Sequence, residues 1–215
     1  MRELGRKRIG VILIGVVLAA SWVQAADSIV VFNELMYHPR EDAGIEWIEV
    51  HNLLALDVDV SKWSIRGGVE YSFPVGTLIP ADGYLVIARE PEAFSLMTGA
   101  DTVYGPFSGN LSNSGERLEL VNNDHRLMDA IDYEDGGEWP VAPDGSGVTL
   151  AKRRPTMASG SPAHWTWSAQ SGGTPGTANF PDDDLMPVRH EVVTLQGEWR
   201  YDDSVSYTHL RAHET

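Results

Sequence analysis

"FNELMYHPREDAGIEWIEVHN", residues 32–52, sets the acids and histidines Glu34, His38, Glu41, Asp42, Glu46, Glu49 and His51 between two apolar runs. In "EWIEVHN" the alternation is strict. Successive side chains of a strand leave opposite faces, so Glu46, Ile48 and Val50 share one side and Trp47, Glu49 and His51 the other. Ile48 and Val50 are therefore core candidates. "FNEL" is a second apolar run, and "YHPRED" after it carries Pro39 and charges that end a strand. Two short strands with a polar connection, and no sustained helical period, point to an antiparallel β-fold.

The same texture extends outward from this stretch. "SIVVFNEL", "WSIRG", "YSFP", "YLVIAR", "TVYG", "ERLELVN", "LMDAIDY" and "GVTLAK" are further strand candidates, punctuated by turn compositions such as "RGG", "PADG", "SNSG" and "PDGSG". Many short strands at this spacing predict an all-β sandwich. One short helix is expected at "EPEAFSLM", where Pro91 suits the first helical position and Phe94 can pack inward. In "ERLELV", Leu118 and Leu120 oppose Arg117 and Glu119, an ordinary solvated face. From Lys152 onward the chain turns rich in Ser, Gly, Pro and Thr. It is expected to bury little and to lie over the sandwich or act as a linker, with Trp165 and Trp167 covering an edge.

Composition narrows the function classes. The basic start "MRELGRKR", the apolar run "IGVILIGVVLAASWV" and the small residues "VQAA" make residues 1–25 a secretory signal peptide, too short to span a bilayer. Export places the protein outside the cytoplasm, secreted, periplasmic or at the cell surface, with no membrane span after cleavage. Cysteine is absent from the chain, which removes disulfides, thiolate catalysis and thiolate zinc sites. The net charge of −15 disfavours nucleic acid and anionic lipid and suits cations, basic proteins or neutral glycans.

Residues 27–180 then form one domain, 181–203 a linker with its acid triplet Asp182 to Asp184 and a restarted strand pattern, and 204–215 a tail. Chemistry is thin in all of it. A hydrolytic metal site needs three or four convergent ligands. Here Glu49 and His51 alone share a face, and His38 stands in a turn. A bound calcium is the one cofactor the carboxylates suggest. No G-x-S-x-G elbow accompanies Ser112 or Ser114, and "SGGTPG" reads as turns. The structural reading has Asn33 and Glu34 at the end of one strand and Glu46 at the start of another, satisfying backbone donors, with Trp47 and Trp63 at the margin of the core.

Taken in order, "FNELMYHP", "EWIEVHN", "VDVSKWSI", "YSFPVGTLIPADGYLVIAR", "NLSNSGERLELVN" and "GTPGTANF" resemble a lamin-tail domain of the secreted bacterial kind, over residues 29–180. The resemblance implies an immunoglobulin-like β-sandwich without catalytic machinery, used for interaction or attachment within large secreted proteins. The chromatin contacts of nuclear lamins do not carry over to so acidic a chain. "LQGEWRYDD" resembles the opening strand of a galactose-binding-like sandwich, so a longer natural protein is expected. The closing "SYTHLRAHET" resembles a translated adapter sequence, which makes 204–215 a non-native tail. Three functions follow: a binding or attachment module for a protein or glycan, a spacer presenting a downstream enzyme, and a metal-dependent hydrolase using Glu49, His51 and His38. For the first, exposed aromatics in the loops 37–45 and 104–113 are the expected contacts, namely Tyr37, Tyr104 and Phe107.

Overall fold

Phe32 and Leu35 both face the core, although strict alternation would send them to opposite sides. The chain reconciles them with a β-bulge: Phe32 pairs with Val50 and Glu34 with Glu49, so that Asn33 is the extra residue. A computed structural model of the chain describes residues 29–40 and 44–181, together with a backbone pairing of Trp199–Arg200 with Arg211–Ala212. The expectations for residues 1–25, for most of 181–203 and for 204–215 as a non-native tail lie outside the described residues. No helix among the described residues is long and apolar enough to cross a membrane.

In chain order the elements are β1 (Val30–Met36), β2 (Trp47–Asn52), β3 (Val58–Asp59), β4 (Ser64–Gly67), β5 (Val69–Ser72), β6 (Leu78–Ile79) and β7 (Tyr84–Ala88). There follow α1 (Pro91–Thr98), β8 (Ser108–Gly109), β9 (Gly115–Val121), β10 (Leu127–Glu134), β11 (Leu150–Lys152) and β12 (Trp165–Trp167). One sheet runs β12-β11-β1-β2-β7 and the other β10-β9-β4-β5-β8, while β3 and β6 form a separate two-stranded ribbon. Every ladder is antiparallel. The exception is a single parallel bridge of Tyr104 to Ile87, all that "TVYG" contributes.

The core lies between the two sheets. Phe32, Leu35, Ile48, Val50 and Ile87 from the first meet Ile65, Val69, Leu118, Leu120 and Ile131 from the second, as the alternation of "EWIEVHN" and "ERLELV" requires. Arg117 and Glu119 pair on the solvated side at 2.9 Å. Helix α1 closes part of the opposite face of the first sheet. Pro91 starts it, Gly99 ends it in the left-handed conformation (φ 76°), and its buried Phe94 packs on Met36, Trp47, Val86 and Ala88. Burying that one ring contributes about 1.5–3 kcal/mol.

The segment after Leu150 departs from expectation. β11 forms where "GVTLAK" predicts a strand, but instead of burying little the segment beyond it supplies β12 to the first sheet, with Trp165 as well as Lys152 buried. Trp167 stays half exposed at the strand's end. The Ser/Gly/Pro composition misled because the buried side chains here are largely polar, and polar burial leaves no hydrophobic pattern in a sequence.

Candidate functional site

On the outer face of the first sheet, β2 presents Trp47, Glu49 and His51 in a row, and each meets a different environment. Trp47 lies under α1, its ring 5.7 Å from that of Phe94 in an edge-on arrangement. Glu49 lies in the middle beside Asn33 and Glu34, which the bulge turns to the same face. His51 stacks on Tyr84 with ring centroids 4.2 Å apart, and its Nε2 meets Asp82 Oδ1 at 3.0 Å. Burial lowers the His51 pKa against the opposing pull of Asp82, so the ring favours its neutral form.

The middle zone is a clasp. Glu34 and Glu49 are directly opposed across the ladder, and both are fully buried. The segment from Gly173 to Asn179 crosses over them and supplies donors. Thr174 N–H donates to Glu34 Oε1 and Oε2 at 3.2 and 3.0 Å, and the Thr149 hydroxyl donates to Glu34 Oε1. Gly176 N–H donates to Glu49 Oε2 at 2.6 Å, and Asn33 Nδ2 to Glu49 Oε1 at 2.8 Å. Asn179 locks the crossing by donating from Nδ2 to the carbonyls of Asn33 and Lys152 at 2.9 and 3.0 Å. Burial raises the Glu34 pKa and pushes Glu49 up to about 8, partly offset by these donors, with the neighbouring Glu34 adding to the rise at Glu49.

A second buried network joins the two sheets. Asp129 of β10 accepts Phe32 N–H at 2.8 Å through Oδ2, opposite the bulge. Ser159 bridges it to Lys152, accepting from Nζ at 2.6 Å and donating to Asp129 Oδ2 at 2.5 Å. Lys152 is fully buried and lies 5.2 Å from the Trp165 ring centroid. Burial lowers its pKa to about 8 although Asp129 opposes the fall. Sequence reasoning passed over Asp129, Lys152, Ser159, Thr174 and Asn179. Two signals were present: "KRRPTMAS", where a lysine directly follows the apolar pair Leu150 and Ala151, and "GTPGTANF", the motif that contains Thr174 and Asn179.

The residues singled out from sequence are dispersed. His38 Nδ1 pairs with Asp144 Oδ1 at 2.5 Å, His51 with Asp82 and Glu49 with the clasp, so the three do not converge. No group of three or more His, Asp or Glu able to hold a metal ion occurs among the described residues. The proposed Glu49–His51 pairing fails because sharing a face of one strand does not give two side chains a common partner. Tyr37 and Phe107, expected at an exposed contact surface, are only 1 % and 4 % exposed. Tyr37 packs on Tyr133 with ring centroids 4.8 Å apart, and Phe107 joins the main core, since loop aromatics at the ends of a sandwich fill its open mouths. Tyr104 is half buried against the same core.

Asn33 and Glu34 lie within β1 rather than at its end, because the bulge continues the strand to Met36. Glu46 does precede β2, and it accepts Leu111 N–H at 3.0 Å, with Arg89 at 3.5 Å. Trp63 is buried in the main core, while Trp47 belongs to the smaller cluster under α1.

Chemically, the outer-face carboxylates are saturated by N–H and O–H donors and closed from solvent. They fasten the strap. Among known families, the chain matches the Lamin Tail Domain over residues 23–135, more than half its length. No curated protein matches it. The match, the two packed antiparallel sheets and the single short helix agree, and the chain belongs to the lamin-tail-domain family, with its immunoglobulin-like β-sandwich.

Proposed function

We propose that the protein is a noncatalytic binding or attachment module of a larger extracellular protein, exported by its signal peptide and recognising a protein or glycan. The observation that carries this reading is the commitment of each candidate catalytic group to a contact within the sandwich: Glu49 to the strap, His51 to Asp82 and His38 to Asp144. The resemblance to secreted members of the family supports the modular context. The net charge of −15 argues against nucleic acid as the partner.

The test uses the full chain in two assays. Immobilised and probed with defined glycans and with peptides of both charge signs, it is expected to bind at least one class saturably. Offered ester, phosphoester, glycoside and peptide substrates, with and without calcium or zinc, it is expected to turn over none. Turnover that disappears in Glu49→Gln or His38→Ala, with folding intact, would replace this reading by a metal-dependent hydrolase. A blank binding panel would leave the chain a spacer that presents a downstream enzyme.

A further inference from the structure

Asn52, fully buried at the end of β2, spends its whole side chain on one loop and its neighbour. Nδ2 donates to the carbonyls of Leu56, Ile79 and Pro80 at 2.8, 3.1 and 2.8 Å, and Oδ1 accepts Leu54 N–H at 3.0 Å. Asp82 N–H to the Leu54 carbonyl at 2.8 Å and Ala81 N–H to Asp57 Oδ1 at 3.0 Å complete the frame. The β3–β6 ribbon continues it, with Asp59 directly opposite Leu78.

This rigid frame holds large apolar side chains in water. Leu56 is 73 % exposed, Val75 77 % and Leu78 53 %. A single exposed leucine is unremarkable, but these three follow one braced ribbon, Leu56 in the loop that leads into β3, Leu78 on β6 and Val75 in the turn before it. Exposed apolar side chains along one ordered element suit a contact surface. The bracing matters because a surface already ordered loses little entropy on binding. The acids Asp57, Asp59 and Asp82 lie on the same ribbon and are all exposed, Asp59 directly opposite Leu78, with Lys62 the cation of these two segments. Anionic lipid and acidic peptides are therefore repelled, and a segment carrying both apolar and basic side chains is matched on both counts.

We infer that the ribbon formed by residues 54–62 and 73–82 is a docking surface for a basic amphipathic peptide segment of a partner protein. The inference rests on the module reading above and names its surface and the chemistry of its partner. Affinity comes from covering Leu56, Val75 and Leu78. Charge sign comes from the three aspartates, so binding weakens with salt.

The test titrates the full chain with a fluorescent synthetic peptide of leucine and lysine and with its leucine–glutamate counterpart. The lysine peptide is expected to bind at one site and the glutamate peptide to fail. Leu56→Ser/Leu78→Ser lowers the affinity by about tenfold or more, and Asp59→Asn, which keeps the oxygen that accepts Ser61 N–H, flattens the salt dependence. Leu96→Ser, at an exposed position on α1, leaves binding unchanged. Circular dichroism and thermal midpoints of these variants match the parent, because the replaced side chains are exposed. Undiminished binding in Leu56→Ser/Leu78→Ser, or equal binding of the glutamate peptide, overturns the surface. Failure of the parent chain to bind the lysine peptide also overturns it and leaves the module reading standing. That reading falls on a blank panel of glycans and peptides, or on turnover that is lost in Glu49→Gln or His38→Ala.

Discussion

A carboxylate opposite another carboxylate in the middle of a ladder would ordinarily repel its neighbour. Glu34 and Glu49 tolerate the arrangement because the strap brings donors to both and because burial favours a retained proton on Glu49. The sign of the resulting pH dependence is definite. A carboxyl whose pKa rises on folding holds its proton in the native state after the unfolded chain has released it. Its stabilisation is complete below the ordinary value of 4.5 and is lost as pH rises through the native value of about 8. His51, with a lowered pKa, works in the opposite sense, but it is common to parent and variant. Thermal midpoints of the parent are expected to fall across that window relative to those of Glu49→Gln, whose profile should be flatter. Parallel profiles would mean that Glu49 is ionised throughout. Gly173 sharpens the same picture: it has φ +78°, and a Cβ there would stand 2.7 Å from Glu34 Oε1 and 2.9 Å from the Trp47 ring. Gly173→Ala is expected to cost about 1–3 kcal/mol, from left-handed strain and lost closure of the clasp, measurable by urea unfolding.

Among the elements, the strap and the two strands before it decide how the first sheet ends. The family match stops at residue 135, yet β11 pairs with β1 and β12 with β11, and Asn179 reaches back to the middle of β1. A chain truncated after Asp135 leaves the edge of β1 open and strips the Thr149 and Thr174 donors from Glu34 and the Gly176 donor from Glu49. It is expected to lose cooperative unfolding and to aggregate through that edge, as followed by circular dichroism and light scattering. A sharp transition at the parent's midpoint would show that the strap is dispensable. Asp129 makes the complementary point from the other sheet, where it neutralises Lys152 through Ser159 and caps the Phe32 amide exposed by the bulge. Asp129→Ala strands a buried ammonium and is expected to cost about 3–5 kcal/mol in denaturant unfolding, because a buried charge that loses its partner retains its desolvation penalty.

For the whole molecule, the excess of acid shapes what can approach it, while the buried carboxylates contribute little to that field. With Glu34 and Glu49 already occupied by donors, thermal unfolding of the full chain is expected to be indifferent to millimolar calcium and to a chelator. A rise with calcium would show that the native state binds the ion and would reopen the carboxylate pair as its site. Glu34 and Glu49 under the strap hold the fold, whereas Asp57, Asp59 and Asp82 on the β3–β6 ribbon face the solvent.

Period-two alternation decided the sandwich from the sequence alone. Ile48 with Val50 and Leu118 with Leu120 repeat the spacing of a strand that turns one apolar face to the core, and Pro91 with Phe94 marked the helix and its buried face. These features are local, set by side-chain direction within a few residues, and so they are written along the chain. The clasp is not written there. Glu34 and Thr174 are separated by 140 positions, and Asn33 and Asn179 by 146. A polar side chain looks the same in a sequence whether water or a distant backbone amide satisfies it. Only tertiary structure decided that the one-residue bulge at Asn33 would turn two polar groups to one face, that a Gly-rich segment would carry the donors to meet them, and that Tyr37 and Phe107 would be drawn into the core. The physical reason is the same in each case: burying a polar group or an aromatic ring is settled by what arrives from far along the chain to cover it.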